Sequence, residues 1–464
     1  MLFNSWSYLI FFSVVFIIYW HVIPKKSNYQ NTLLLISSIL FYGFWNLKFL
    51  FMLFIVIGID YFFGILISRS TGKKSFLFLI ICLINNVGIL FYFKYFDFLL
   101  AQLNLLFESD FNLMYLIPPI GISFYTFHGL SYVIDLYKKK IKPEQNFIRY
   151  ALFVSYFPLL VAGPIERATH LLPQLKKERK FNYTQGIEGL KLIIYGFFKK
   201  VVIADSLSVF VDLTFETYYN YSALSLILAA IGFSIQIYCD FSGYSDIAIG
   251  CSKLLGIELL SNFRFPYFAT SIRDFWRKWH ISLTSWFKDY VYIPLGGNKV
   301  SSLLKMRNIF FVFMISAIWH GSKITFLVWG FIHFFFYIFE DIIKYFFNIN
   351  PAKNITIRLF GRFYTFSVVT IAWIFFRSES ILDAVGYFKQ IAINSYENPT
   401  NFFEETPNLS IIYYVVFFLI IDWIFRKNER DLNPYFKGLS ILFINLIFFY
   451  LLAENKESFI YFQF

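Results

Sequence analysis

An all-α polytopic membrane protein, with about eleven transmembrane helices plus re-entrant helices, is the fold class this sequence predicts. Three observations predict it. Of 464 residues, 58% are apolar and only 15% charged, where an ordinary soluble domain carries about 25% charged residues. So few charges cannot coat a compact fold of this size, which excludes a soluble enzyme and a disordered chain. Apolar runs near the spanning length of about 17–25 residues recur along the chain. Basic residues fall in every second connection of the N-terminal part, as alternation across a bilayer demands.

The first three runs cover 6–23, 31–46 and 49–67, and the next two 76–96 and 114–137. Lys25 and Lys26 follow the first, Arg69, Lys73 and Lys74 the third, and Lys138 to Lys140 the fifth. Those connections are expected in the cytoplasm. The 97–113 connection holds Asp97, Glu108 and Asp110 with no Lys or Arg, which assigns it to the outside. The first run lacks a basic leader and a small-residue cleavage site, so it is expected as a retained helix. The run at 148–163 is broken by Pro158, Gly163 and Pro164 and has basic loops on both sides. It is expected to enter and leave on one side, which membrane depth tolerates only inside protein or against a wet cavity.

Runs at 187–198 and 201–217 are split by Lys199-Lys200, so the first is expected to be short or tilted, and a long run follows at 222–250. Residues 264–307 are basic and aromatic. Runs at 308–319 and 324–343 meet at Gly321, and later ones lie near 359–376, 411–425 and 438–453. The polar 380–410 stretch reads as a loop with a surface helix. No internal repeat appears, and residues 1–464 read as one domain.

The net charge of +12 follows from basic cytoplasmic loops, so no nucleic-acid partner is inferred. Phe, at 65 residues beside 33 Tyr and 10 Trp, stands where Leu would usually face lipid and core. Cys82, Cys239 and Cys251 lie in or beside apolar runs without ligand spacing and read as buried thiols, with no metal.

Six histidines are present. His21 and His170 sit where solvent exposure is the default. His333, among Phe residues on an apolar helix, reads as a core histidine. His128, in SFYTFHGLSY (123–132), reads as a helix–helix hydrogen bonder or a cavity lining. His280, in DFWRKWHISLT (274–284), follows Arg273, Asp274, Arg277 and Lys278, and the segment turns back at YIPLGGN (292–298). His320, in AIWHG (317–321), ends a charge-free run from Asn308. Twelve residues climb roughly 18 Å into a core of about 30 Å, and an ionisable group at that depth is a functional hypothesis. The alternative is a structural histidine bonded to a neighbouring helix. In CDFSGYSDIAIG (239–250), Asp240 and Asp246 need partners, for which Arg264, Arg273 and Arg277 are the candidates. In VAGPIER (161–167), Gly-Pro puts Glu166 and Arg167 at a membrane boundary. No G-x-S-x-G, P-loop or H-E-x-x-H occurs, which argues against an ATPase or a metalloprotease. Buried histidines without a metal cluster point to acid–base work on a group entering a cavity.

With these segments the chain resembles the membrane-bound O-acyltransferase (MBOAT) family, in the bacterial branch that includes the alginate O-acetyltransferase membrane subunit. The resemblance runs over nearly the whole length: MLFNSWSYLIFF, GISFYTFHGLSYVIDLY (121–137), VAGPIER, CDFSGYSDIAIG, FRFPYFATSIRDFWRKWHISLTSWFKDYVYIPLGGN (263–298), IWHG (318–321) and FIYFQF at the end. His128 departs from it, since Gln is expected there. The resemblance implies about eleven spanning helices and re-entrant pieces around a central tunnel. It implies His320 as the catalytic histidine and His280 as the second one. It further implies transfer of an acyl group from a cytoplasmic thioester, acetyl-CoA, across the bacterial inner membrane, with a separate extracytoplasmic SGNH-hydrolase-like protein handling the acceptor. The acceptor would be peptidoglycan, an alginate-like polysaccharide or another envelope glycan.

Beside that implication, His320 is expected to take the acceptor hydroxyl's proton. Arg273, Arg277 and Lys278 are expected to hold the anionic donor at the cytoplasmic mouth. Other readings stay open: a transporter or flippase of a lipid-linked precursor, which usually shows repeats or paired broken helices; a non-catalytic scaffold; and D-alanyl transfer to teichoic acid.

Overall fold

The computed structural model describes residues 3–161, 163–347, 354–394, 410–426 and 436–452. Among these every regular element is helical. The chain divides into two compact units, Met1–Ile193 with Ile247–Leu260, and Ile194–Asp246 with Ser261–Phe464.

The first unit opens with α1 (Trp6–Ile17), capped by Ser5, whose side chain accepts the Tyr8 N–H. A π-helical turn, Ile18–Val22, carries it on until Pro24 stops it. Next come α2 (Ser27–Gly43), α3 (Leu47–Arg69) and α4 (Gly72–Phe107). With 36 residues, α4 runs about 54 Å at 1.5 Å per residue. It continues well past the expected end at 96, because AQLNLLF (101–107) is built from good helix formers and a single Asp97 marks polarity without breaking a helix. The expected outer loop is therefore irregular only from Glu108, which takes a left-handed φ of 49°. Asp97 then ties it back, accepting the N–H groups of Met114 and Leu116 at 2.8 Å each.

Helix α5 (Ile122–Tyr137) starts after Gly121, later than the expected 114, because Pro118 and Pro119 keep the preceding chain extended. Gly121 has φ +75°, and a Cβ there would lie 2.1 Å from the Leu160 carbonyl oxygen, so only glycine fits. The broken run forms two short helices, α6 (Phe147–Ser155) and α7 (Phe157–Leu160), buried from Tyr150 onward. Helix α8 (Ala168–Lys176) follows.

Helix α9 (Tyr183–Phe197), a π-helical turn (Phe198–Ala204) and α10 (Asp205–Glu216) form one continuous helical stretch. Lys199-Lys200 therefore do not split it, contrary to expectation. Their charges are met by carboxylates, so the helix need not break to reach water.

The second unit holds most of α11 (Ala223–Leu254), then two short pieces, α12 (Ile272–Trp276) and α13 (Ile281–Phe287). The turn at 293–298 is made by Gly296 and Gly297, both at positive φ. It ends with α14 (Ser302–His320), α15 (Ile324–Phe347), α16 (Ile355–Arg377), α17 (Ile381–Asn394), α18 (Ser410–Phe425) and α19 (Phe436–Leu452). The expected surface helix of the 380–410 stretch is α17. Residues 395–409, Ala162 and the terminal FIYFQF lie outside the described residues.

Among the described residues six helices are long and apolar enough to cross a membrane: Leu47–Arg69, Gly72–Phe107, Ala223–Leu254, Ser302–His320, Ile324–Phe346 and Ile355–Arg377. Shorter apolar helices include Trp6–Val22, Phe147–Leu160, Ile412–Phe425 and Leu439–Phe448.

Candidate active site

His280 stands between α12 and α13 with φ 42° and ψ 54°. A left-handed conformation is costly for a residue with a Cβ and persists only where its surroundings impose it. Here backbone bonds on both sides impose it. Arg264 N–H donates to the Lys278 carbonyl and Ile281 N–H to the Asn262 carbonyl, both at 2.9 Å. The imidazole turns into a buried aromatic wall, 4.7 Å from Phe241 at 88° and 6.3 Å from Trp319. Neither ring nitrogen meets a hydrogen-bond partner among the described residues. Burial pushes its pKa down to about 3, so the ring is neutral at pH 7.

His320 is the last residue of α14 and is buried. Its ring lies 4.7 Å from Trp319, 5.1 Å from Trp329 and 5.0 Å from Phe376. The two histidines, forty positions apart in sequence, thus both lie against one indole, Trp319. Trp329 and Trp373 stack at 6.0 Å, and Trp279 meets Trp373 at 5.2 Å, extending the cage. His333 lies in the same cage. Its Nδ1 accepts from Trp276 Nε1–H at 3.3 Å, in keeping with the core histidine the sequence suggests.

The three expected donor anchors part company. Arg273 is committed to Asp341 and lies over the Tyr337 ring at 4.8 Å. Lys278 pairs with Asp274 at 2.9 Å. Arg277 is exposed and makes no salt bridge among the described residues. At the start of α12, Glu340 accepts the Ile272 N–H at 2.6 Å and the Arg273 N–H at 3.4 Å, a side-chain cap on a helix N-terminus.

The partners of Asp240 and Asp246 are lysines, not the arginines expected. Lys199 reaches Asp246 at 2.5 Å and donates to Ser242 Oγ at 3.0 Å. Lys200 reaches Asp240 at 2.6 Å and Asp205 at 2.7 Å. Gly243 makes this approach possible, since a Cβ there would meet the Gly196 carbonyl at 2.7 Å and the Lys200 nitrogen at 3.1 Å. Asp422, on α18, joins the region by accepting from Tyr195 at 3.0 Å and Tyr238 at 3.2 Å. Sequence reasoning missed both lysines and Asp422. The signal was present: an ionisable residue inside an apolar run needs a partner.

In the first unit, Glu166 is fully buried. Its Oε1 accepts from Leu260 N–H at 2.6 Å and its Oε2 meets His170 Nδ1 at 2.7 Å. His170 is therefore paired, whereas His21 is exposed as expected. The Glu166 backbone N–H donates to His128 Nε2 at 3.1 Å, a hydrogen bond to an irregular segment where one to a helix was expected. Asp60, buried on α3, also escaped notice. Asn86 Nδ2 of α4 donates to both its oxygens, at 2.8 and 2.9 Å. Among the described residues no group of three or more His, Cys, Asp or Glu gathers as a metal site. The three cysteines are free and buried.

Chemically, the second unit offers buried imidazoles in an aromatic cage, beside a short basic segment in which Arg277 makes no salt bridge among the described residues. That is equipment for proton transfer on an uncharged group, with an anion held nearby.

The model of the MBOAT, membrane-bound O-acyltransferase family matches residues 138–378. A peptidoglycan O-acetyltransferase of Helicobacter pylori is 32% identical, covering 95% of this chain and 92% of that protein. A probable alginate O-acetylase AlgI of Pseudomonas aeruginosa is 36% identical over 82% of this chain and 73% of its own length. A teichoic acid D-alanyltransferase of Bacillus subtilis is 29% identical, over only 47% of this chain. A match across the whole segment that carries His280 and His320, with relatives similar along most of the length, leads to one conclusion: this multi-pass membrane acyltransferase belongs to the membrane-bound O-acyltransferase family.

Proposed function

We propose that the chain acts as a single domain, in the bacterial inner membrane, that moves an acetyl group from cytoplasmic acetyl-CoA outward for O-acetylation of an envelope or exported polysaccharide. The observation that carries this reading is the placement of His280 and His320 against one buried tryptophan. The acceptor class follows from the relatives, one named for peptidoglycan and another for alginate.

In this mechanism His320 takes the proton of the acceptor hydroxyl, whose oxygen then attacks the thioester carbonyl. His280 orients the thioester or protonates the leaving thiolate. Arg277, with Arg273 and Lys278 behind it, receives the phosphates of the donor. The cage excludes water, which protects the thioester from hydrolysis and strengthens each hydrogen bond inside. About eleven crossings with re-entrant pieces, the 263–298 segment among them, would enclose a tunnel in which donor and acceptor meet without a polar cofactor passing through lipid. An extracytoplasmic SGNH-hydrolase-like protein then hands the acyl group to the polymer.

The test is thiol release from acetyl-CoA by the purified chain in lipid vesicles. Turnover is expected, increased by an extracytoplasmic acceptor. A preparation that moves a lipid-linked sugar and leaves acetyl-CoA untouched would favour the transporter reading.

A further inference from the structure

His333 is the histidine that this mechanism leaves idle. It lies on α15, 0% exposed. Its ring is packed by Phe275 and Phe313, both at 6.1 Å and near-parallel, and by Trp329 at 5.1 Å. Trp276 Nε1–H points at one of its nitrogens at 3.3 Å. An indole N–H can only donate, so the nitrogen facing it carries a lone pair. In a neutral imidazole the proton then sits on the other nitrogen, whichever way the ring is turned. That other nitrogen, Nε2, is buried and meets no partner among the described residues.

A buried N–H left unmatched pays its desolvation penalty with nothing to offset it. A phenylalanine would fill the same aromatic slot without that cost, so the donor is retained for something that arrives. Trp329 touches His333 and His320 at 5.1 Å each, so the donor and the proposed base flank one ring.

We infer that His333 donates a hydrogen bond from Nε2–H to the carbonyl oxygen of the acyl group under transfer. The inference rests on the acyl-transfer reading with His320 as base. The hydroxyl oxygen bonds to the thioester carbonyl carbon while its proton passes to His320. The carbonyl π pair moves onto oxygen, and the oxyanion is held by Nε2–H of His333. When that pair returns, the carbon–sulfur bond breaks and sulfur leaves with its electrons. The thiolate then gains one proton, matching the one lost by the hydroxyl. His333 neither gains nor loses a proton. Trp276 acts as a positioning residue that fixes which nitrogen donates.

Membranes carrying the full chain are given acetyl-CoA, and kcat and KM for thiol release are measured over pH. His333→Phe is expected to lower kcat by about 10²-fold, the scale of one lost oxyanion donor, with KM within about 3-fold. His333→Gln, whose amide keeps an N–H, is expected to recover about 10-fold of that loss. Trp276→Phe is expected to cost several-fold in the wild-type background and nothing further in His333→Gln, where no tautomer remains to be set. The shape of the pH profile stays unchanged throughout.

Equal losses in the Phe and Gln variants would overturn the inference. So would an effect on KM alone, a shifted pH profile, or a His333→Phe variant with near-wild-type kcat. If His333→Phe does not accumulate, the Trp276→Phe pair decides, and additive losses there would overturn it. A wild type that releases no thiol overturns both this and the reading beneath it, whereas an active wild type with a silent His333→Phe overturns this alone.

Discussion

Two buried regions of the second unit treat their polar atoms in opposite ways. Around Lys199 and Lys200, each ammonium meets a carboxylate, and Asp422 receives two tyrosine hydroxyls. In the histidine–tryptophan cage, both nitrogens of His280 and one of His333 are left without partners among the described residues. Phe241 joins the regions, sitting one residue after Asp240 with its ring 4.7 Å from His280. A matched network locks helices together, because breaking one of its pairs strands a buried charge. An unmatched one makes no such lock, and under the proposed function its nitrogens serve the substrate. The first region should therefore fail by unfolding and the second by inactivity.

Lys200→Met should break that contrast most strongly. It leaves Asp205 and Asp240 buried without their shared cation, at a cost of about 3–5 kcal/mol. Thermal unfolding in detergent should show a large drop in Tm and low membrane levels. Replacing Asp205 and Asp240 by Asn in the same chain should recover much of it. Normal stability of Lys200→Met would mean the network is not a frame.

His280→Gln is the opposite case. Its fold should persist, since no partner is lost, while transfer falls by about 10-fold, toward the low end of the general acid–base scale. A fall in Tm comparable to that of Lys200→Met would erase the distinction. The smallest effect separates two neighbours. Arg277→Ala should raise the KM for acetyl-CoA several-fold with kcat nearly kept. Lys278→Ala should do less, because its ammonium is already spent on Asp274. If Lys278→Ala has the larger effect on KM, the donor binds elsewhere along the segment.

Much of this was legible in sequence, for identifiable reasons. Helices α3, α14, α15 and α16 are apolar runs bounded by basic residues, and both signals are local. The end of α4 was not legible, because Asp97 marks where polarity changes while helix formers continue to Phe107. Lys199-Lys200 reads as a break because Asp240 and Asp246 lie some forty residues on and only Asp205 is a local partner. The Trp-His pairs at 279–280 and 319–320 drew attention by themselves. The cage around them did not, because Trp329, Trp373 and Phe376 reach it from later helices. The bond from Trp276 to His333 spans 57 positions and leaves no trace in either local segment.

The central claim is that the cage is where the acyl group changes hands, with His320 as base. The most direct measurement is the ester content of envelope polymer in cells expressing His320→Gln, with the variant's level in the membrane quantified in the same samples. Gln keeps a hydrogen-bonding end of similar reach and cannot take a proton. The account predicts a normal protein level with esters reduced by about 10²-fold or more. Near-normal esterification at that level would contradict it and move the base to another histidine.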